Sequence, residues 1–149
     1  AGKTIVPFFT FGSGGLNTSS ADLKKALPKA KIAQGYGVRT ARVAKAAKEL
    51  NRFLTENGYK KGSIEKLPDY SEQQPVTEAE KQIFDTDCSS YQFPLGTPKT
   101  VGKRSTSEST DYKYTVASRG MNGAEGTSII YVTVGKEKSA KPEFTEVVR

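Results

Sequence analysis

A glycine-rich loop near the start of the chain has the residue types best suited to binding a ligand. The loop, Phe11-Gly12-Ser13-Gly14-Gly15, follows the apolar run Thr4–Thr10, which is typical of a strand buried on both faces of a parallel sheet. Glycines let backbone N–H groups approach an anion or a flat ring, and ligands of open parallel sheets bind beyond the carboxyl ends of the strands. The loop therefore predicts a ligand contact, with an ordinary strand-to-helix connection as the alternative.

Histidine and cysteine usage excludes several kinds of chemistry. Residues 1–149 contain no histidine and one cysteine, Cys88. Within these residues there can be no Ser-His-Asp or Cys-His nucleophile system, no internal disulfide and no metal site built from several cysteines. Cys88 has no basic sequence neighbour that would activate its thiol, so we expect a structural role for it.

Two further groups of side chains are weaker candidates for a site. Four nearby carboxylates could bind a cation, although a solvated helix face is the simpler interpretation; they are Glu78, Glu80, Asp85 and Asp87. Tyr112, Tyr114 and Tyr131 could line a binding face of a sheet, but core or cross-strand packing is favoured. We expect no catalytic residue and no metal ligand in either group.

Charge is unevenly distributed along the chain. Residues 1–62 contain 12 Lys or Arg and 3 Asp or Glu, whereas residues 63–149 contain 11 and 13, for a net charge of +7. A basic half can indicate a nucleic-acid surface. Because the basic residues are scattered without interleaved aromatic residues, we expect solvated faces and no nucleic-acid partner. No apolar run approaches the roughly 18 residues of a membrane span.

The first part of the chain alternates strand and helix. The expected elements are strands at Thr4–Thr10 and Lys31–Val38, a helix from Ser19 to Pro28, and a longer helix capped by Thr40 and ended by Gly58. This β-α-β-α order requires parallel pairing, with helices covering the sheet. Two parallel strands do not form a stable sheet alone. We therefore expect further strands from an upstream segment, a second chain or an unusual use of the second half, and a natural N-terminus upstream of Ala1.

The second part is predicted to be a small α+β domain. Thr77 and Glu80 form a capping box for a short helix, and β-type segments follow at 99–105, 112–116, 128–134 and 144–148. The glycine-rich segment 120–126 joins the two best strands as a hairpin. We predict an antiparallel sheet with one helix packed on it. The predicted domains are residues 1–58 and 77–149, joined by a linker at 59–76.

Two segments of the first part resemble bacterial flavodoxins, which bind FMN. KTIVPFFTFGSGG (Lys3–Gly15) is similar to their penultimate strand and its loop, including the proline within the strand. DLKKALPKAKIAQGYGVRTARV (Asp22–Val43) resembles their next helix, last strand and terminal helix. The resemblance covers about residues 2–57. It implies an α/β fold in which this segment is the C-terminal half of a flavodoxin-like parallel sheet.

The resemblance also implies a cofactor site. Flavodoxins hold FMN with three loops, and only the last has a counterpart here, at Thr10, Phe11, Gly12, Ser13, Gly14 and Gly15. Backbone amides of this loop would face the polar edge of the flavin ring, while Phe11 would either flank the ring or belong to the core. The phosphate-binding turn has no counterpart, so we expect weak or no FMN binding by this chain alone.

Two functions follow from these expectations. The first is an FMN-binding electron carrier or oxidoreductase, completed by the missing N-terminal half and acting with a redox partner protein. The alternative is a non-catalytic interaction protein whose antiparallel domain binds a partner. No family is recognised for residues 63–149, and the sequence indicates no cellular compartment, although a cytoplasmic location is compatible with it.

Overall fold

The chain folds as two units, each with its own β-sheet. A computed structural model describes residues 3–12, 15–88, 91, 94–120 and 122–148. The N-terminal unit comprises residues 1–66 and the C-terminal unit residues 67–149. Strand pairing is parallel in the first unit and antiparallel in the second. The architecture is therefore mixed α/β, and the predicted antiparallel sheet of the second part is confirmed.

The N-terminal unit follows the expected strand–helix alternation. Its elements are β1 (Thr4–Ile5), β2 (Phe8–Phe11), α1 (Gly15–Ala26), β3 (Lys31–Ile32), β4 (Tyr36–Arg39), a 3-10 helix (Thr40–Lys45) and α2 (Ala47–Glu56). β1 pairs in parallel with β3, and β2 with β4. These are two separate two-stranded pairings.

Pro7 divides the first predicted strand into two. Ile5 pairs with Ile32, whereas Phe8 pairs with Tyr36, so the register shifts by one residue across the proline. Pro7 has no N–H to donate to the ladder, but its carbonyl oxygen accepts a hydrogen bond from the N–H of Tyr36 at 3.0 Å. The expected continuous strand is therefore wrong in detail, because the proline breaks the ladder without ending the pairing.

The helix starts also differ from the sequence-based expectation. Helix α1 begins at Gly15 rather than Ser19, and the Ser19 hydroxyl donates to the Gly15 carbonyl oxygen within the helix at 3.4 Å. The expected helix from Thr40 is a 3-10 helix followed by α2. Thr40 does not cap it. Its hydroxyl instead donates to the carbonyl oxygen of Phe11, at 3.4 Å.

The C-terminal unit is a five-stranded antiparallel sheet with one helix. Its elements are β5 (Gln74–Pro75), α3 (Glu78–Cys88), β6 (Thr97–Ser105), β7 (Ser109–Arg119), β8 (Glu125–Gly135) and β9 (Glu143–Val148), and the strands follow one another in sequence order across the sheet. The predicted capping box is present: the Glu80 carboxylate accepts from the Thr77 N–H at 2.9 Å, and the Thr77 hydroxyl accepts from the Glu80 N–H at 3.4 Å.

The core of this unit lies between α3 and one face of the sheet. Phe84 of α3 meets Tyr114 of β7 edge to face, with ring centroids 5.2 Å apart. Tyr114, Val116, Ile130 and Val132 are fully buried, as expected for alternate residues of two central strands. The core is therefore built mainly by β7 and β8.

Candidate cofactor-binding site

The glycine-rich loop lies at the carboxyl edge of the parallel strands. Thr10 and Phe11 end β2 opposite Val38 and Arg39, which end β4. Both strands run in the same direction, so the loop after β2 and the turn after β4 emerge at one edge, where open α/β sheets bind ligands. Of the predicted loop residues, Ser13 and Gly14 lie outside the described part of the chain.

The side chain of Phe11 packs beneath α1, whereas its backbone carbonyl group lies at the end of β2. The ring is buried, with 9% of its surface exposed. A Cβ atom on Gly37 would lie 2.7 Å from the Phe11 ring and 2.9 Å from Leu16 of α1, so the ring and Leu16 fill the space above Gly37. Of the two roles considered for this ring, the structure places it in the packing under α1. Its carbonyl oxygen remains at the strand end and accepts from Thr40.

Gly12 and Gly15 differ in what surrounds them. Gly12 is exposed, and a Cβ atom added to it would meet nothing within 4 Å. Packing among the described residues therefore leaves open space beside the Gly12 backbone. Gly15 has φ 75°, a left-handed conformation that strongly favours glycine. That conformation turns the chain into α1, a 12-residue helix whose N-terminus carries partial positive charge at this edge.

Arg39 and Thr40 lie at the same edge as the loop, and the sequence analysis did not place them there. Arg39 is the register partner of Phe11, and Thr40 reaches the Phe11 carbonyl oxygen. Arg39 therefore ends β4 at the same edge as the loop, and the Thr40 hydroxyl lies at the end of β2. The signal was available, because residues that end neighbouring parallel strands share an edge. Finding these residues from the sequence would have required the assumption that β2 pairs with β4.

A polar network fixes α2 and the 3-10 helix to β4. Arg42 donates to the Glu49 carboxylate at 2.7 Å, and the Tyr36 hydroxyl donates to the same carboxylate at 3.3 Å. Burial of the phenol, followed by the negative charge of Glu49, raises the pKa of Tyr36 to about 12. Tyr36 therefore stays neutral and remains a hydrogen-bond donor over the physiological pH range.

Ion pairs account for two of the four candidate carboxylates, Asp85 and Glu80. Lys81 pairs with Asp85 at 2.6 Å and Lys103 with Glu80 at 2.7 Å. Among the described residues, no group of three or more acidic residues and cysteines is arranged to hold a metal ion. Cys88 is half buried and packs against the core.

The three candidate tyrosines do not share one face of the sheet. Tyr112 and Tyr114 face α3 and stack with ring centroids 6.0 Å apart. Tyr131 pairs with Lys113, which lies between them in β7, so it points to the opposite face. There it contacts Tyr70, with ring centroids 5.9 Å apart. Packing within each face therefore accounts for all three rings.

Comparison with known proteins neither supports nor opposes the resemblance to flavodoxins. No protein-family model, curated protein or solved structure matches the chain. No helix among the described residues is both long and apolar enough to cross a membrane. The case for a ligand therefore rests on the geometry of the loop and on the two segments that resemble flavodoxins.

Proposed function

We propose that the N-terminal unit is part of an FMN-binding domain of an electron-transfer protein. The observation that carries the proposal is the loop at the carboxyl edge of two parallel strands, with open space beside Gly12. Backbone amides of residues 12–15 would contact the polar edge of the flavin ring, and bound FMN would supply the electron or hydride transfer. Amide hydrogen bonds and nearby charge at that edge tune the electronic properties of a flavin.

The described residues supply only part of an FMN site. The described residues of this unit supply a loop for the ring, but we identify no turn in it that would hold the phosphate. Its parallel strands form only two-stranded pairings, which are too small to bury both faces of a sheet. We therefore propose that further strands, and the phosphate-binding turn with them, come from polypeptide outside residues 1–149.

Flavin fluorescence tests the cofactor. The purified chain is titrated into FMN alone and then together with the N-terminal half of a flavodoxin. We expect strong quenching only when that half is present. A Gly12→Leu variant should weaken binding about tenfold, or ~1.4 kcal/mol, because its side chain would occupy the open space beside the backbone.

Gly126→Ala is the matched control for this titration. Gly126 lies in β8, where an added Cβ would approach only the Ser118 hydroxyl at 4.0 Å. The control should bind FMN as the parent chain does, and both variants should keep the parent circular dichroism spectrum. Absence of quenching in every mixture would reject the flavin proposal.

The alternative function is a non-catalytic interaction module in the C-terminal unit. One observation favours it: the sheet face opposite α3 carries aromatic and charged side chains, with Tyr70 in contact with both Tyr131 and Arg104. Arg104 lies 4.4 Å from the centre of the Tyr70 ring, a cation–π arrangement that also occurs in recognition surfaces. Absence of FMN quenching would favour this interaction function of the C-terminal unit.

A further inference from the structure

Among the residues that the structure describes, no strand pairs with the outer edge of β1 and β2. In the described part of the chain, the backbone of residues 4–11 makes its ladder bonds only towards β3 and β4. Such an edge is a template for another strand. Strand addition supplies affinity through main-chain hydrogen bonds and specificity through the neighbouring side chains.

Burial shows which side of the N-terminal unit lacks cover. Every residue of β4 is half buried or buried. In β2, by contrast, Phe8 and Thr10 are exposed, and Phe8 leaves 54% of its surface to solvent. The helices therefore cover the β4 side of the pair better than the β2 side. The less covered side therefore carries the unpaired edge of β2, whereas β1 and β3 are exposed to the same degree.

An aromatic surface adjoins this edge. Phe8 contacts Phe53 of α2 with ring centroids 6.1 Å apart, and Phe53 contacts Tyr59 at 6.2 Å. Tyr59 is 50% exposed, so the row is partly open to solvent at both ends. Burying aromatic rings of this kind contributes strongly to the stability of interfaces.

The net charge of the N-terminal unit indicates which charge a binding partner would carry. Residues 1–66 contain 13 Lys or Arg and 4 Asp or Glu, a surplus of nine positive charges. Asp22 forms an ion pair with Lys25, and Glu49 forms one with Arg42. Lys60 and Lys61 directly follow Tyr59, so basic residues adjoin the aromatic row. Association with a positively charged surface is favoured for a negatively charged partner.

We propose that the outer edge of β1 and β2 binds a strand of an acidic polypeptide, whose apolar side chains cover Phe8 and Tyr59. This inference rests on the proposed function, which requires further strands. It adds which edge those strands join and which charge they carry. Acidic residues of the partner would lie near the basic residues around the aromatic row. The partner would thus be selected by both its apolar pattern and its charge.

Two synthetic peptides test the proposal with the full chain. Both are fluorescein-labelled nine-residue strands with the same Val and Ile positions, one with Glu and the other with Lys at the remaining positions. We expect the Glu peptide to bind at least about tenfold more tightly by fluorescence anisotropy, which is ~1.4 kcal/mol. Its affinity should fall as salt is added, because exposed charges are screened. Hydrogen exchange at residues 4–11 should slow on binding.

Variants of the chain locate the binding edge. Phe8→Thr keeps a residue suited to a strand but removes the ring, and should weaken binding of the Glu peptide about tenfold. Leu27→Gln is the matched control, since Leu27 is also exposed, at 42%, but follows α1 and is not part of β1 or β2. It should bind the Glu peptide as the parent chain does. Circular dichroism checks that both variants keep the parent secondary structure.

Several outcomes would overturn the acidic-strand proposal. They are equal affinity for the two peptides, no binding of the Glu peptide, and equal losses in Phe8→Thr and Leu27→Gln. Tighter binding of a single-stranded oligothymidine than of the Glu peptide would instead assign the surface to nucleic acid. The flavin titration separates the two proposals: edge binding without FMN quenching rejects only the cofactor, and FMN quenching without peptide binding rejects only the acidic strand.

Discussion

At the scale of the residue, Gly102 lets a chain segment cross the sheet. Residues 70–73, part of the predicted linker, pass over this glycine in β6. A Cβ atom at position 102 would lie 2.7 Å from the carbonyl oxygen of Ser71 and 2.8 Å from the Gln73 side chain. The Ser71 N–H donates to the Lys103 carbonyl oxygen at 2.8 Å, and its hydroxyl accepts from the Lys103 N–H at 3.0 Å. The segment cannot move away without losing these bonds.

Gly102→Ala should therefore destabilise the C-terminal unit. We expect a loss of about 1–3 kcal/mol, as for other overpacked sites, because the closer of the two clashes is with the backbone of Ser71, which is held by hydrogen bonds to Lys103. Urea unfolding followed by circular dichroism measures it. Gly126→Ala is the same substitution at a position where the added Cβ has room. Its effect on the free energy of unfolding should be less than about a third of the loss in Gly102→Ala. Equal stabilities of the two variants would contradict this account of residues 70–73.

At the scale of the element, Glu80 joins the start of α3 to the sheet. Its carboxylate accepts from the Thr77 hydroxyl at 2.8 Å and from Lys103 of β6 at 2.7 Å. Burial would raise the pKa of Glu80, but the hydrogen bonds from Lys103 and Thr77 outweigh burial and hold it below its ordinary value. The Tyr114 hydroxyl of β7 also donates to the Glu80 carbonyl oxygen at 2.7 Å. The N-terminus of α3 is therefore fixed to two strands.

Thr77→Ala removes the cap of this helix. We expect it to lower the free energy of unfolding by about 1 kcal/mol, as for other N-cap threonines, because the Glu80 N–H and carboxylate each lose a partner. Thr86→Ala is the control, since the Thr86 hydroxyl donates to the Gln82 carbonyl oxygen within the exposed part of α3. Denaturant melts of both variants at neutral pH make the comparison. A loss in Thr77→Ala no larger than that in Thr86→Ala would contradict the stabilising role of the cap.

At the scale of the whole molecule, the two units have unequal cores. Among the described residues, the buried apolar side chains of the N-terminal unit are Pro7, Phe11 and Val38, whereas the C-terminal unit has nine, of which Tyr114 and Ile130 are fully buried. A domain needs enough buried apolar surface to offset the entropy of ordering its chain. By this criterion only the C-terminal unit is equipped to be stable alone.

Separate expression of the two units checks this difference. The fragment 67–149 should unfold in urea as one cooperative transition, whereas the fragment 1–66 should show no cooperative transition under the same conditions. Circular dichroism and analytical ultracentrifugation make the measurement, with the full chain as reference. A monomeric, cooperatively folded 1–66 fragment would contradict the need for further strands on which both proposals depend.

Local pattern predicted much of the architecture because its causes lie within a few residues. The order of strands and helices in the first unit, the capping box of Thr77 and Glu80, and the antiparallel strands of the second unit all follow from neighbouring side chains and turns. The break at Pro7 was signalled by the missing N–H, although one strand was expected across it. The start of α1 was misplaced because Gly15 rather than Ser19 turns the chain into the helix.

What only the tertiary structure decided is which distant residues meet. The amino-acid sequence by itself determined the alternation of elements, the glycine-rich loop after an apolar strand and the excess of positive charge in the first half. Pairing of β2 with β4 placed Arg39 and Thr40 beside that loop, and the register of β7 with β8 put Tyr131 on the face opposite Tyr112. The physical reason is that a change of one residue in strand register moves a side chain to the other face, and contacts between residues far apart in the chain set that register.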